Sequence, residues 1–276
     1  MALTKILITV KTYPTLSEKY DELVCTAGFR EDGSWVRIYP VPFRKLDYQN
    51  RYEKWQWIEM DIVKNTNDFR PESYRPADIE KEIRLLDTVD TKGDWIKRRT
   101  LISKQIWTNM SDLIASKNEI GTSIGIVKPR IVKNFICKPC DREWDPKKMQ
   151  AVIANHAQGS LFDEEDTRLV FKVVNKLPYE FSYVFTTDDG VERTLMIEDW
   201  ELGALYWNCL KKAHGDEKIA CQKVKEKYFD YMVNERDLHF FMGTTKKFHN
   251  VSPNPFIIIG TFYPPKNYDQ QLKLFL

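Results

Sequence analysis

Glu59, Asp61, Lys64 and Glu72 form the carboxylate-bearing group of the chain best suited to chemistry. Glu59 and Asp61 occupy alternate positions of the run Trp57 to Lys64, and on a strand that spacing puts both carboxylates on one face. A pair of acids there can hold Mg²⁺ or Mn²⁺ for phosphodiester hydrolysis, so a metal-dependent nuclease of a defence or repair system is one expectation. The spacing fits no metal-nuclease motif, and acids on a solvent-facing strand are common. Catalysis is therefore the alternative reading, and binding is the leading one.

Trp35, Arg37, Tyr39, Phe43 and Arg44 make an aromatic and basic run, joined by Arg70, Tyr74 and Arg75 in the segment DFRPESYRP. On a strand Trp35, Arg37 and Tyr39 share a face, where rings can stack on bases while a guanidinium holds phosphate. These eight residues are the expected nucleic-acid-binding patch. The competing reading puts Val36 and Ile38 in the core and leaves the other face as ordinary surface, with arginine lying over aromatic rings.

Other chemistry finds less support. Cys137-Lys138-Pro139-Cys140 is a lone CxxC, and its remaining zinc ligands would have to come from His156, Cys209, His214 or Cys221, far along the chain. No metal site is expected. Five scattered cysteines fit reduced thiols better than a disulfide framework. Asp199-Trp200-Glu201-Leu202 reads as a structural helix start, Asp199 capping it and Trp200 buried beneath. No phosphate-binding glycine loop, dinucleotide fingerprint or serine nucleophile elbow is present in the sequence.

With 42 basic and 40 acidic residues among 276, the chain has a net charge of +2, so attraction to nucleic acid has to come from a local patch. No apolar run is long enough to span a bilayer, and MALTKILITV enters a strand directly. A cytoplasmic protein without membrane partners is expected.

The elements that must position these residues read as two similar strings. Lys5 to Val10, Glu22 to Phe29, Ser34 to Val41 and Trp57 to Lys64 read as strands, with a polar, helix-prone segment Arg44 to Lys54 before the last of them. Trp95 to Ser116 reads as a helix capped by Asp94, and Ser123 to Cys137 as a strand interrupted at Pro129. A helix opens at Asp145-Pro146, and the acidic stretch Gln158 to Asp166 reads as an inter-lobe loop.

Arg168 to Val174, Tyr179 to Thr186, Val191 to Ile197, Leu238 to Met242 and Phe256 to Tyr263 read as strands, with helices over Asp199 to Lys212 and Asp216 to Val233. Asp32-Gly33 and Asp189-Gly190 stand at equivalent turns, which suggests duplication. The expected fold class is α+β, with two OB-like five-stranded barrels carrying inserted helices. The expected domains are an N-terminal OB-like lobe with a helical insertion over 1–157, a C-terminal OB-like lobe over 158–263 and an extended tail over 264–276.

In Leu23-Val24-Cys25-Thr26-Ala27-Gly28-Phe29, Gly33 to Pro40, Ile197 to Leu202 and Ile257-Ile258-Ile259-Gly260, the chain resembles the dual OB-fold domain proteins of prokaryotic conflict systems. That resemblance implies recognition of nucleic acid or nucleotide in defence, repair or replication, and it carries no catalytic residues across. The tail QLKLF resembles the bacterial sliding-clamp-binding peptide, which would make Gln271, Leu272, Leu274 and Phe275 the clamp-binding residues. The pattern recurs in Gln158 to Phe162 with glycine in place of the first leucine. The leading expectation is a binding protein that touches single-stranded or forked DNA and is recruited to the clamp, in replication, repair or anti-phage defence. A protein-interaction module without nucleic-acid binding is the third reading.

Overall fold

The computed structural model describes residues 3–17, 21–46, 51–79, 81–159 and 173–266. In chain order the first lobe contains β1 (Thr4–Lys11), β2 (Thr15–Ser17), β3 (Asp21–Arg30), β4 (Trp35–Val41), β5 (Gln56–Met60), β6 (Ile62–Lys64), β7 (Ser73–Pro76), β8 (Arg84–Thr88) and α1 (Lys92–Ile102). The second begins with β9 (Ile106–Trp107), α2 (Met110–Ile120), β10 (Ile124–Val127), β11 (Ile131–Pro139) and α3 (Pro146–Gly159). It continues with β12 (Tyr179–Thr186), β13 (Glu192–Met196), α4 (Trp200–Lys212), α5 (Glu217–Lys225), a π-helical turn over 226–231, α6 (Met232–Asn234), β14 (His239–Thr244) and β15 (Phe256–Phe262).

Strand pairing in the first lobe runs in a circuit. β1 pairs antiparallel with β3, β3 antiparallel with β4, β4 parallel with β7, and β7 antiparallel with β6. Asp61 alone separates β6 from β5, and β5 returns antiparallel to β1. The second lobe repeats this order. β11 pairs antiparallel with β12 and β12 with β13, Ile197 bridges in parallel to Ile258 of β15, β15 pairs antiparallel with β14, and β14 with β10. β10 and β11 are two halves of one course of chain, parted at Lys128-Pro129-Arg130. The turns at Asp32-Gly33 and Asp189-Gly190 do occupy matching places, and their glycines take φ of 80° and 71°, which a residue with a Cβ adopts only at a cost.

The division expected at 157/158 is corrected by this pairing. β11 lies before it and β12 after it, yet the two are hydrogen-bonded neighbours from Ile131↔Thr186 to Pro139↔Tyr179. The strand expected over Arg168 to Val174 falls mostly outside the described residues, and Val173 and Val174 lie in irregular chain. The helix expected from Trp95 to Ser116 is two helices, because the chain extends between them to lay β9 parallel to β10. Asp94 does not cap α1. It sits in a left-handed turn with Gly93 and Trp95.

Three apolar clusters hold the molecule together. Ile6, Ile8, Val36, Ile38 and Ile58 fill the first lobe. Phe181, Tyr183, Phe185, Leu202, Tyr206 and Phe240 fill the second beneath α4 and α5. The third cluster joins Leu7, Val10, Phe29 and Trp55 to Ile124, Ile126, Phe241, Ile259 and Phe262 of the other lobe. β1 is therefore covered on both faces, Ile6 and Ile8 inward and Leu7 toward the partner lobe, which explains why KILITV is nearly continuously apolar. Among the described residues no helix is long and apolar enough to cross a membrane.

Candidate nucleic-acid interface

The expected patch on β4 is largely built into the junction between the lobes. Arg37 is buried and donates to the Thr244 carbonyl at 3.1 Å, the Ser123 carbonyl at 3.0 Å and the Ser123 hydroxyl at 3.1 Å. Arg70 is also buried, paired with Asp68 at 2.6 Å and donating to the same Thr244 carbonyl. Trp35 lies against Phe29 with ring centroids 4.1 Å apart and meets Phe241 edge-on at 6.3 Å. Phe43 is buried beside Tyr52 and Trp200. The patch reading is corrected for Arg37, Arg70 and Phe43, because these side chains are buried, Arg37 and Arg70 against the second lobe, while Trp35 is half-buried. Tyr39 and Arg75 remain exposed, Tyr74 is covered by Arg30 and Lys64, and Arg44 pairs with Glu22 at 2.6 Å.

The four residues named for nuclease chemistry are each engaged separately. Glu59 pairs with Arg84 at 2.9 Å, Asp61 with Lys81 at 3.2 Å, and Lys64 donates to the Pro71 carbonyl. Glu72 accepts from the Ser123 amide at 2.9 Å and hydroxyl at 2.7 Å, binding the lobes together. Among the described residues no group of three or more His, Cys, Asp or Glu side chains converges as a metal site would require. Cys137 faces Cys221 with sulfurs 2.7 Å apart, while Cys140 turns to the Leu177 carbonyl at 3.3 Å. Gln271, Leu272, Leu274 and Phe275 lie outside the described residues.

A different constellation lines an open cleft, with Trp95 and Trp200 half-buried and Trp55 and Lys11 buried in its wall. Trp55, Trp95 and Trp200 converge on a cleft of about 500 Å³ between the lobes, together with Lys11, Lys54, Arg98, Glu201 and Tyr263. Trp55 comes from the approach to β5, Trp95 from the turn into α1 and Trp200 from the first position of α4. Asp199 caps that helix by accepting from the Glu201 amide at 3.1 Å, which aims Trp200 across the junction. Trp55 and Trp95 both have φ of 66°, a left-handed backbone that is strained for a bulky side chain. Such strain costs on the order of 1–3 kcal/mol per residue and concentrates at binding sites.

The cleft's charges are arranged unevenly. Lys54 donates to Asp199 at 2.8 Å and Glu201 at 3.1 Å, so its charge is matched. Burial works against its ammonium, but those two carboxylates outweigh burial and raise its pKa. Among the described residues Lys11 has no acid in hydrogen-bonding contact. It donates to the Tyr52 carbonyl at 3.1 Å and lies 4.5 Å from the centroid of Phe43, and burial, reinforced by Lys54, lowers its pKa to about 8. The Arg98 guanidinium sits 5.0 Å from the centroid of Trp55 and 5.2 Å from that of Trp95. Thr261 lines the same cleft, and its buried hydroxyl has no hydrogen-bond partner among the described residues. The result is an aromatic chamber with a cation stacked in its wall and an unpartnered hydroxyl buried behind it.

Sequence reasoning passed over this site. Trp200 reads as a buried helix start, Trp95 as part of a helix, and Trp55, Lys11 and Arg98 have no local motif around them. The separations from 11 to 263 leave no spacing signal. The recoverable hint was the backbone oddity of Gly93-Asp94-Trp95, a glycine and an aspartate just ahead of a tryptophan.

Residues 2–104 match a family model described as Domain of unknown function (DUF8758), and residues 106–276 match one described as Domain of unknown function (DUF8757). The two meet between α1 and β9, where the first lobe gives way to the second. No curated protein matches the chain.

Proposed function

We propose that this chain, which belongs to the family described as Domain of unknown function (DUF8757), is a cytoplasmic DNA-associated binding protein that receives single-stranded or forked DNA in the cleft between its lobes. One observation carries the reading: Trp95 and Trp200 converge on a single open cavity from separate segments, backed by the buried Trp55, with Arg98 and Lys11 beside them. Flat rings accept any base, because every base has a π face, and arginine adds cation–π attraction.

Each lobe reads as an OB-like barrel. The support is the repeated pairing order, in which the third strand runs parallel to the fifth and the fourth returns to the first. In the second lobe the helices α4, α5 and α6 lie between the third and fourth strands of the circuit, as that fold requires. Recruitment to the bacterial sliding clamp through Gln271, Leu272, Leu274 and Phe275 belongs to the same proposal and rests on the residue pattern of the tail. Replication, repair or anti-phage defence is the setting that resemblance and tail together suggest.

The direct test is a titration with a labelled single-stranded oligonucleotide, reading anisotropy and tryptophan fluorescence. Salt-sensitive binding with quenching, and no cleavage in Mg²⁺ or Mn²⁺, is the expected result. Binding to neither single-stranded nor forked DNA, with tryptophan emission unchanged, would remove the reading in favour of a protein-interaction module.

A further inference from the structure

A second cavity, of about 390 Å³, is lined by Arg99 of α1 and carries a very different charge. Arg99, Lys128, Arg130, Arg236 and Lys266 line it, against one carboxylate, Asp237. That carboxylate is already shared, by Arg99 at 2.9 Å and Lys128 at 2.8 Å. Burial works to raise the Asp237 pKa, but His239, Lys128 and Arg99 outweigh it and hold the group below its usual value, so it stays an anion. Arg236 donates to the Tyr231 hydroxyl at 2.7 Å and Lys266 to the Asn234 carbonyl at 2.6 Å, both neutral oxygens. The Arg130 side chain has no partner among the described residues, while its amide is fixed to the Thr186 carbonyl at 2.9 Å.

Five cations against one carboxylate leave an excess of about four positive charges around one small cavity, in a chain whose total is only +2. Most surface cations have acids interspersed among them, and this concentration stores repulsion that an anion would relieve. The cavity is also joined to the aromatic cleft through the chain. Arg98 lines the cleft and Arg99 the basic cavity, and Tyr263 lines the cleft while Lys266 lines the cavity. A ligand with rings in one and an anion in the other would meet the neighbouring residues Arg98 and Arg99.

We infer that this cavity is a binding site for a phosphate monoester, filled by the terminal phosphate of the strand whose bases occupy the aromatic cleft. The inference rests on the proposed cleft reading for the source of the phosphate and on the cation cluster for its chemistry. A terminal monoester carries up to two charges at neutral pH and three free oxygens, whereas a backbone diester carries one charge. A confined cluster of planar guanidiniums suits the first, since each can meet two oxygens at once.

The experiment has two arms, both using the full chain and the double variant Arg130→Gln/Lys266→Gln, which leaves the Arg99–Asp237 pair intact. In the first, sodium phosphate is compared with sodium chloride at matched ionic strength. Phosphate should raise the melting temperature of the wild type and not of the variant, and equal behaviour of the two proteins overturns the site. In the second, one oligonucleotide is supplied with a 5′-phosphate, a 3′-phosphate or neither. The wild type should bind one phosphorylated form about ten-fold more tightly than the unmodified strand, as expected for a few charge-assisted hydrogen bonds, and the variant should bind all three equally.

Equal affinity of the wild type for all three overturns the strand-end assignment while leaving the cleft reading in place. If no oligonucleotide binds but phosphate stabilises only the wild type, the cleft reading fails. The phosphate site is then supported with a small-molecule source.

Discussion

Arg37 of β4 reaches across the lobe junction and donates a 3.1 Å hydrogen bond to the carbonyl of Thr244 at the end of β14. With the bonds to Ser123, it ties the two circuits together at a point where Glu72 and Arg70 also cross. Burial lowers the Arg37 pKa, yet a guanidinium keeps its proton at any ordinary pH, so the carbonyls it caps are held by a full charge.

Arg37→Met should therefore destabilise the protein by about 3 kcal/mol, since buried acceptors left without a donor cost about 1–3 kcal/mol each. Urea unfolding followed by tryptophan fluorescence checks this, and a single transition is expected because the lobes share a core. Wild-type stability with reduced DNA affinity would instead return Arg37 to a binding role.

Trp95→Ala should weaken single-strand binding by about 1–3 kcal/mol, the range for loss of one stacking ring. Trp35→Ala should act differently, lowering stability through its lost contacts with Phe29 and Phe241. Anisotropy titrations and thermal melts of both variants separate the roles. The reverse pattern would restore the β4 patch as the interface.

DNA affinity should fall as pH rises from 7 to 9. Lys11 has its folded pKa lowered to about 8 by burial and by Lys54, so its ammonium is present at pH 7 and mostly gone at pH 9. Loss of a cation weakens attraction to an anionic strand. The free protein should show the opposite trend, because the unfolded chain binds more protons between about pH 8 and the unperturbed lysine value, and stability there rises with pH. Lys11→Met should flatten both profiles, and a profile unchanged by that substitution would exclude Lys11 as the titrating group.

Acid should begin to destabilise the protein before its carboxylates titrate. Burial lowers the His239 pKa to about 4, against an ordinary value of 6.5. The unfolded state therefore binds more protons across that window, and stability present above pH 6.5 is lost as pH falls toward 4. The shift corresponds to at most about 3 kcal/mol. His239→Gln can keep the donor to the Asp237 carbonyl, bonded at 2.9 Å, and should reduce the slope of melting temperature against pH in that interval.

Leu274→Ala with Phe275→Ala should abolish recovery of the sliding clamp in a pull-down while leaving the melting temperature unchanged, because a docking peptide concentrates its affinity in a few anchors. Transplanting residues 265–276 to an unrelated carrier should transfer the binding. A lowered melting temperature without any clamp recovery in the wild type would mean that these side chains pack on their own protein.

Much of the strand content was legible because its signals are local. Alternation marks Trp57 to Lys64, and the break at Pro129 is where β10 leaves β14 and β11 begins to pair with β12. The matching strand order of the two lobes showed through the two Asp-Gly turns. The lobe boundary did not, because the run 123–139 reads equally well as the last strand of one lobe or the first of the next. Hydrogen bonds to β12 and β14 resolve that choice, and those partners lie 40 or more residues downstream.

The candidate site divides in the same way. The composition of the β4 segment is visible in its residues, but its exposure depends on whether another sheet packs over it, and Phe241 and Thr244 decide that from far along the chain. Local patterning was enough for the α+β class, most of the strands and the cap at Asp199, since propensity, alternation and turn geometry act over a few residues. Convergence of Trp55, Trp95 and Trp200 on one cleft, and of five cations around one carboxylate, arises only when the two circuits close and dock. Burial and electrostatics depend on distance in space, and a linear order of residues does not contain that distance.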